Sequence, residues 1–103
     1  MTLSGHQKRV ECVKFISQTN ILSCGADGLL ILWKCLDEND IFNYKSWIIQ
    51  DKLKLSNEIL LRFSLDLEKN IIAVSSSEGN VYLLKIDEEK FEVLDFLCFG
   101  KNI

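Results

Sequence analysis

One hairpin is spelled twice in this chain. Ile21-Leu22-Ser23-Cys24 leads through Ala26-Asp27-Gly28 into Leu29-Leu30-Ile31-Leu32-Trp33-Lys34-Cys35. Ile71-Ile72-Ala73-Val74 leads through Ser77-Glu78-Gly79-Asn80 into Val81-Tyr82-Leu83-Leu84-Lys85-Ile86. Short apolar runs closed by an acid–glycine turn read as paired strands, because such turns need residues that tolerate positive φ. Asp27-Gly28 laid over Glu78-Gly79 places Ile21 on Ile72 and Trp33 on Leu84, 51 residues apart. A repeat of that period is the mark of a radial or stacked β architecture.

The flanking runs extend each hairpin to four strands. Val10-Glu11-Cys12-Val13-Lys14-Phe15-Ile16 precedes the first, and Tyr44-Lys45-Ser46-Trp47-Ile48-Ile49 follows it across the polar stretch Asp37-Glu38-Asn39-Asp40. Glu58-Ile59-Leu60-Leu61-Arg62-Phe63 and Phe91-Glu92-Val93-Leu94-Asp95-Phe96-Leu97 flank the second. Phe15 laid over Phe63 gives a spacing of 48, which predicts a connection three residues longer in the second copy. The expectation is an all-β chain of two four-stranded antiparallel units, residues 1–50 and 51–103. Helices are the rival reading for residues 48–65 and 88–97, although β-branched and aromatic residues there favour strands.

The chemistry-bearing residues are few. With 12 basic and 15 acidic side chains the net charge is −3, which is a poor footprint for a general nucleic-acid surface. No apolar run reaches the length of a membrane span, and the first residues do not form a secretory signal. Cys12, Cys24, Cys35 and Cys98 include no C-x2-C pair, so free thiols are expected in preference to disulfides or zinc. His6 is the one histidine, and no phosphate-loop lysine follows Gly25-Ala26-Asp27-Gly28. No cofactor is expected.

His6, Ser23, Asp27 and Trp33 form the informative set. If the loop carrying Gly5-His6 folds back beside the Asp27 turn, the imidazole can bridge Asp27 and Ser23. The Ser23 hydroxyl can then meet the Trp33 indole N–H, so that every buried polar group gains a partner. A nucleophilic Ser23–His6–Asp27 triad is the catalytic alternative, but no nucleophile elbow frames Ser23. The second copy has no Gly-His before it. Glu78 stands for Asp27, Val74 for Ser23 and Leu84 for Trp33, so this copy is expected to be held by apolar packing alone.

Leu3-Ser4-Gly5-His6, then Val10, Val13 and Phe15, Leu22-Ser23, Ala26-Asp27-Gly28 and Leu30-Ile31-Leu32-Trp33-Lys34 together resemble one near-complete WD40 repeat. The resemblance covers residues 4–34 strongly and the second copy weakly. It implies a β-propeller fragment that works as a non-catalytic platform for other protein subunits, in the cytoplasm and also the nucleus. Propellers close from about 4–8 blades, so the resemblance also implies further blades beyond these two, and hydrophobic faces that those blades would cover. Lys8, Arg9 and Glu11 are the expected partner contacts. A nucleic-acid or chromatin contact through Lys8-Arg9 is the second functional reading.

Overall fold

The computed structural model describes residues 2–98. The end of the second expected unit, residues 99–103, lies outside the described residues. Eight strands form two antiparallel four-stranded sheets. The first holds β1 (Val10–Ser17), β2 (Asn20–Gly25), β3 (Leu29–Cys35) and β4 (Trp47–Lys54), hydrogen-bonded in that order. The second holds β5 (Leu60–Asp66), β6 (Ile71–Ser76), β7 (Asn80–Asp87) and β8 (Lys90–Cys98) in the same order.

Neither helical reading holds: β4 and β5 occupy most of residues 48–65, and residues 88–97 run from a turn into β8. Two strand starts move. Tyr44–Ser46 is a 3-10 turn, capped where the Asn43 side chain accepts from the Lys45 N–H, so β4 begins only at Trp47. Residues 51–54 then pair with residues 29–32, and the division expected at residue 50 falls inside the first sheet. β5 begins only at Leu60, where its ladder with Ser76 starts, and Glu58 in the preceding loop binds Ser76, Asn80 and Tyr82 through its side chain.

The two sheets repeat each other in register. Ser23 pairs with Ile31 as Val74 pairs with Tyr82, which keeps the spacing of 51. In the first strands, Val13 faces Ser23 and Phe63 faces Val74. Val13 therefore corresponds to Phe63, 50 residues on, and Phe15 corresponds to Leu65. The connection in the second copy is one residue longer, not three. Glu11 and Leu61 bulge from β1 and β5 at the same place, as Gln50 and Leu94 do from β4 and β8. Shared bulges bend both sheets alike.

Because side chains alternate across a strand, each sheet has two faces. Call the face bearing Val13, Ile21, Ser23, Ile31 and Trp33 the front, and that bearing Cys12, Leu22, Cys24 and Leu30 the rear. The rear of the first sheet packs on the front of the second, where Leu22, Cys24, Leu30, Leu60, Phe63, Ile72, Val74, Tyr82 and Leu84 form one buried cluster. Burying one such aliphatic side chain stabilises by about 1.5–3 kcal/mol, so this contact holds the sheets together. The front of the first sheet is covered differently, and only in part. Leu3 and Ile41 pack against the buried cluster of Leu29, Ile31, Trp33, Cys35 and Trp47, while Val10, Val13 and Phe15 stay exposed.

Candidate functional site

The structure brings His6, Ser23, Asp27 and Trp33 together at one end of the first sheet. His6 Nδ1 lies 3.1 Å from Asp27 Oδ2, and His6 Nε2 lies 2.7 Å from Ser23 Oγ. The Trp33 indole N–H donates to that same Ser23 Oγ at 2.9 Å. With the imidazole proton on Nδ1, the chain closes without an orphan: Trp33 donates to Ser23, Ser23 to His6 and His6 to Asp27. The His6 and Asp27 side chains are only 6% and 4% exposed.

Asp27 holds more than the histidine. Its carboxylate also accepts from the Gln7 N–H at 2.8 Å and the Leu29 N–H at 3.2 Å. Burial by itself would raise its pKa, but these two N–H groups and the His6 imidazole outweigh burial and hold the carboxyl below its ordinary value. The turn beneath it is equally tight. Gly28 has φ +74°, and a Cβ there would lie 1.9 Å from the Ser56 carbonyl oxygen in the loop before β5. The Asp27 turn thus supports the loop before β1 and the loop before β5 together.

Ser23, His6 and Asp27 have the connectivity of a hydrolytic triad. The serine, however, lies mid-strand, is 3% exposed, and already takes the Trp33 indole. That geometry serves packing. Ser23 and His6 also line an apolar cleft of about 290 Å³ with Leu3, Val10, Val13, Ile21 and Trp33.

The second sheet has a polar cluster of its own, contrary to the expectation of apolar packing alone. Glu58 accepts from Ser76 Oγ at 2.8 Å, Asn80 Nδ2 at 2.9 Å and the Tyr82 hydroxyl at 2.9 Å. In the first sheet the turn supplies the acid and the preceding loop supplies the imidazole. Here the loop supplies the acid, and the end of β6 and the start of β7 supply the donors. Burial works to raise the Glu58 pKa, but the hydrogen bonds from Ser76, Tyr82, Asn80 and Ser56 prevail and lower it. Tyr82 moves the other way, up, through burial and the adjacent carboxylate. A tyrosine inside an otherwise apolar strand was the available signal, since a buried phenol needs a partner.

The expected partner contacts lie beside this end. Lys8 and Arg9 are exposed and Glu11 is half-buried, with Arg9 and Glu11 paired to each other. That pairing offsets half of the Lys8-Arg9 charge. All four cysteines are free thiols, and burial, aided by Cys12, Glu11 and Asp27, pushes the Cys24 thiol up to about 12. Among the described residues no three His, Cys, Asp or Glu side chains gather as a metal site requires, and no helix is long and apolar enough to cross a membrane.

No family model and no curated protein matches the chain. Among solved structures it is similar to the C-terminal WD40 domain of Sif2, with TM-score 0.72 and 13% identity over 91% of this chain. It is also similar to the WD40 β-propeller domain of Doa1, with TM-score 0.70 and 18% identity over 96% of this chain. The fold is therefore that of two consecutive WD40-type propeller blades. The chain spans 25% and 31% of the length of those two domains.

Proposed function

We propose that this chain is part of a WD40-family propeller acting as a non-catalytic platform on which other protein subunits assemble. The observation that carries this reading is the reuse of one blade plan twice, with the same bulges and register, while the polar residues hold loops in place. The Ser23–His6–Asp27 geometry is absorbed by Trp33 and burial, which supports a structural role over catalysis. Lys8, Arg9 and Glu11 are the proposed contacts, and the cytoplasm, with the nucleus, is the proposed location.

A narrower resemblance supports one assembly in particular. Thr2-Leu3-Ser4-Gly5-His6, Arg9-Val10-Glu11-Cys12-Val13-Lys14-Phe15-Ile16, Ile31-Leu32-Trp33-Lys34 and Lys45-Ser46-Trp47 look like the amino-terminal propeller of the Elongator complex WD-repeat subunit. On that reading the chain contributes to holding subunits of a complex that modifies wobble uridines of transfer RNA, and the chemistry resides elsewhere.

The test is cross-linking of the tagged chain in cells followed by mass spectrometry. Defined protein neighbours that cross-link at residues 8–11, and that are lost with Lys8→Glu/Arg9→Glu, support the platform. A salt-dependent RNA titration of micromolar or tighter affinity, lost with the same substitutions, would favour the nucleic-acid reading instead.

A further inference from the structure

Cys12 on β1 and Cys24 on β2 face each other directly in the antiparallel ladder, both on the rear of the first sheet. Residues opposed in this way have Cα atoms about 4.5–5.5 Å apart, inside the span of about 4.4–6.8 Å that disulfides bridge. In a flat ladder their Cβ atoms stand about 4.5–5.5 Å apart, at or just beyond the reach of about 3.5–4.5 Å in a disulfide. The ladder beside this pair is not flat. Glu11 bulges from β1 immediately before Cys12, and a bulge sharpens the local twist, so the two Cβ atoms are not held at the flat-sheet separation. Neither other cysteine has a thiol opposite it, since Cys35 pairs with Trp47 and Cys98 with Asn80.

The two thiols differ in access. Cys24 is 0% exposed, and its S–H donates to the Leu60 carbonyl of β5 at 3.8 Å, across the contact between the sheets. Cys12 is half-buried at the rim of the same apolar cluster. A solvent-borne reagent therefore meets Cys12 first, and Cys24 is reached only through Cys12. Such an arrangement separates an attacking thiol from a resolving one. Both lie against this chain's own second sheet, so the pair depends on no surface outside the described residues.

We propose that Cys12 and Cys24 are a redox pair, which a small-molecule disulfide such as glutathione disulfide oxidises to a cross-strand bridge that loosens the contact between the two sheets. The Cys12 thiolate attacks one sulfur of glutathione disulfide; a Cys12–glutathione bond forms and one glutathione thiolate leaves. Cys24, its proton given up to solvent, then attacks the Cys12 sulfur and expels the second glutathione. Two electrons and two thiol protons pass from the chain to the reagent, which ends as two glutathione thiols. Burial, with Cys12 next in weight, pushes the Cys24 thiol up to about 12, so the second attack is the slow one. The closed bridge has no S–H, and β2 thereby loses the tie that Cys24 makes to Leu60 of β5. The proposal stands apart from the platform reading, because it needs only the contact between these two sheets.

The experiment incubates the intact 103-residue chain with glutathione disulfide, in native buffer and in urea, and follows intact mass and peptide maps. In native buffer the chain is expected to gain one glutathione on Cys12 and then to lose it, ending two hydrogens lighter with Cys12 joined to Cys24. Dithiothreitol restores the starting mass. In urea the register is gone, and mixed pairings of the four cysteines are expected instead. Cys24→Ala is expected to stop at the glutathione adduct, and Cys12→Ser to leave Cys24 unmodified. A native wild-type chain that never closes the bridge, or that joins another pair, overturns the proposal whether or not the variants fold. Equal yields of the Cys12–Cys24 bridge in both solvents also overturn it, because the folded register would then not direct the pairing. Amide exchange over β5 is expected to be faster in the oxidised chain than in the reduced one, and unchanged exchange overturns the coupling between the bridge and the second sheet.

Discussion

The hydroxyl of Tyr82 donates to the carboxylate of Glu58 at 2.9 Å, joining the middle of β7 to a loop 24 residues upstream. This contact takes the place, in the second blade, of the imidazole relay that anchors the first. Glu58→Ala strands the donors of Ser76, Asn80 and Tyr82 at once, and is expected to destabilise the fold by about 1–3 kcal/mol. Tyr82→Phe removes one donor and leaves the carboxylate its other partners, so the expected loss is about 0.5–1.5 kcal/mol. Urea unfolding of both variants measures the difference. Equal stability of Glu58→Ala and wild type would show that apolar packing alone holds this blade.

Acid should loosen both blades through the same chemistry. Asp27 and Glu58 both titrate below their ordinary values of 3.8 and 4.5 in the folded chain. Carboxyls lowered by folding stabilise it fully above those ordinary values, and that contribution disappears as pH falls through the folded values. The melting temperature is therefore expected to be insensitive to these groups near neutrality and to drop below pH 4.5. Scanning calorimetry of Asp27→Asn/Glu58→Gln checks the assignment: the double variant starts lower and shows a shallower acid decline. An unchanged decline would place the acid sensitivity in other carboxylates.

Gly28 sits at φ +74° with the Ser56 carbonyl against the space a side chain would need. Gly28→Ala is expected to cost more than about 1 kcal/mol, the loss found when φ is positive and alanine is introduced. The added methyl also has to push the loop before β5 away from the first blade. Amide exchange should therefore show faster opening at Leu55, whose N–H donates to the Gly28 carbonyl at 2.9 Å. Unchanged exchange there would mean that the turn and the loop are independent.

The β7–β8 turn stores strain that substitution can release. Glu88 and Glu89 form its two-residue loop at φ 50° and 65°, where Asn-Gly is the favoured pair. Glu88→Asn/Glu89→Gly is expected to raise stability by about 1 kcal/mol, less the small contribution of the exposed Lys34–Glu89 pair. Thermal melting decides it. A lower melting temperature would show that the contact with Lys34 outweighs the turn strain.

Strand rhythm was the most legible part of this protein. β3 runs from Leu29 to Cys35, as the apolar run suggested, because a strand with six of its seven residues buried, on both faces, tolerates few alternatives. Asp27-Gly28 marked its turn correctly, since few residues adopt that backbone. The shift between the first strands was less legible: aligning Phe15 with Phe63 by residue type gave the wrong spacing. Both copies place an aromatic on that face, at different positions, and only pairing to the neighbouring strand shows which positions correspond.

His6, Ser23, Asp27 and Trp33 could be singled out because each is a polar or indole group in a setting that leaves it few partners. Glu58 escaped notice because a glutamate near a strand end looks like a solvated charge until the hydroxyls and amide around it are assembled. Local sequence thus determined the elements, through turn chemistry and the period of two. Tertiary structure decided which faces meet, where bulges fall, and that Glu58, half-buried, gathers the donors of the second blade while Glu78 stays exposed. Those outcomes depend on partners 17 to 55 residues away in the chain, and no local pattern carries that distance.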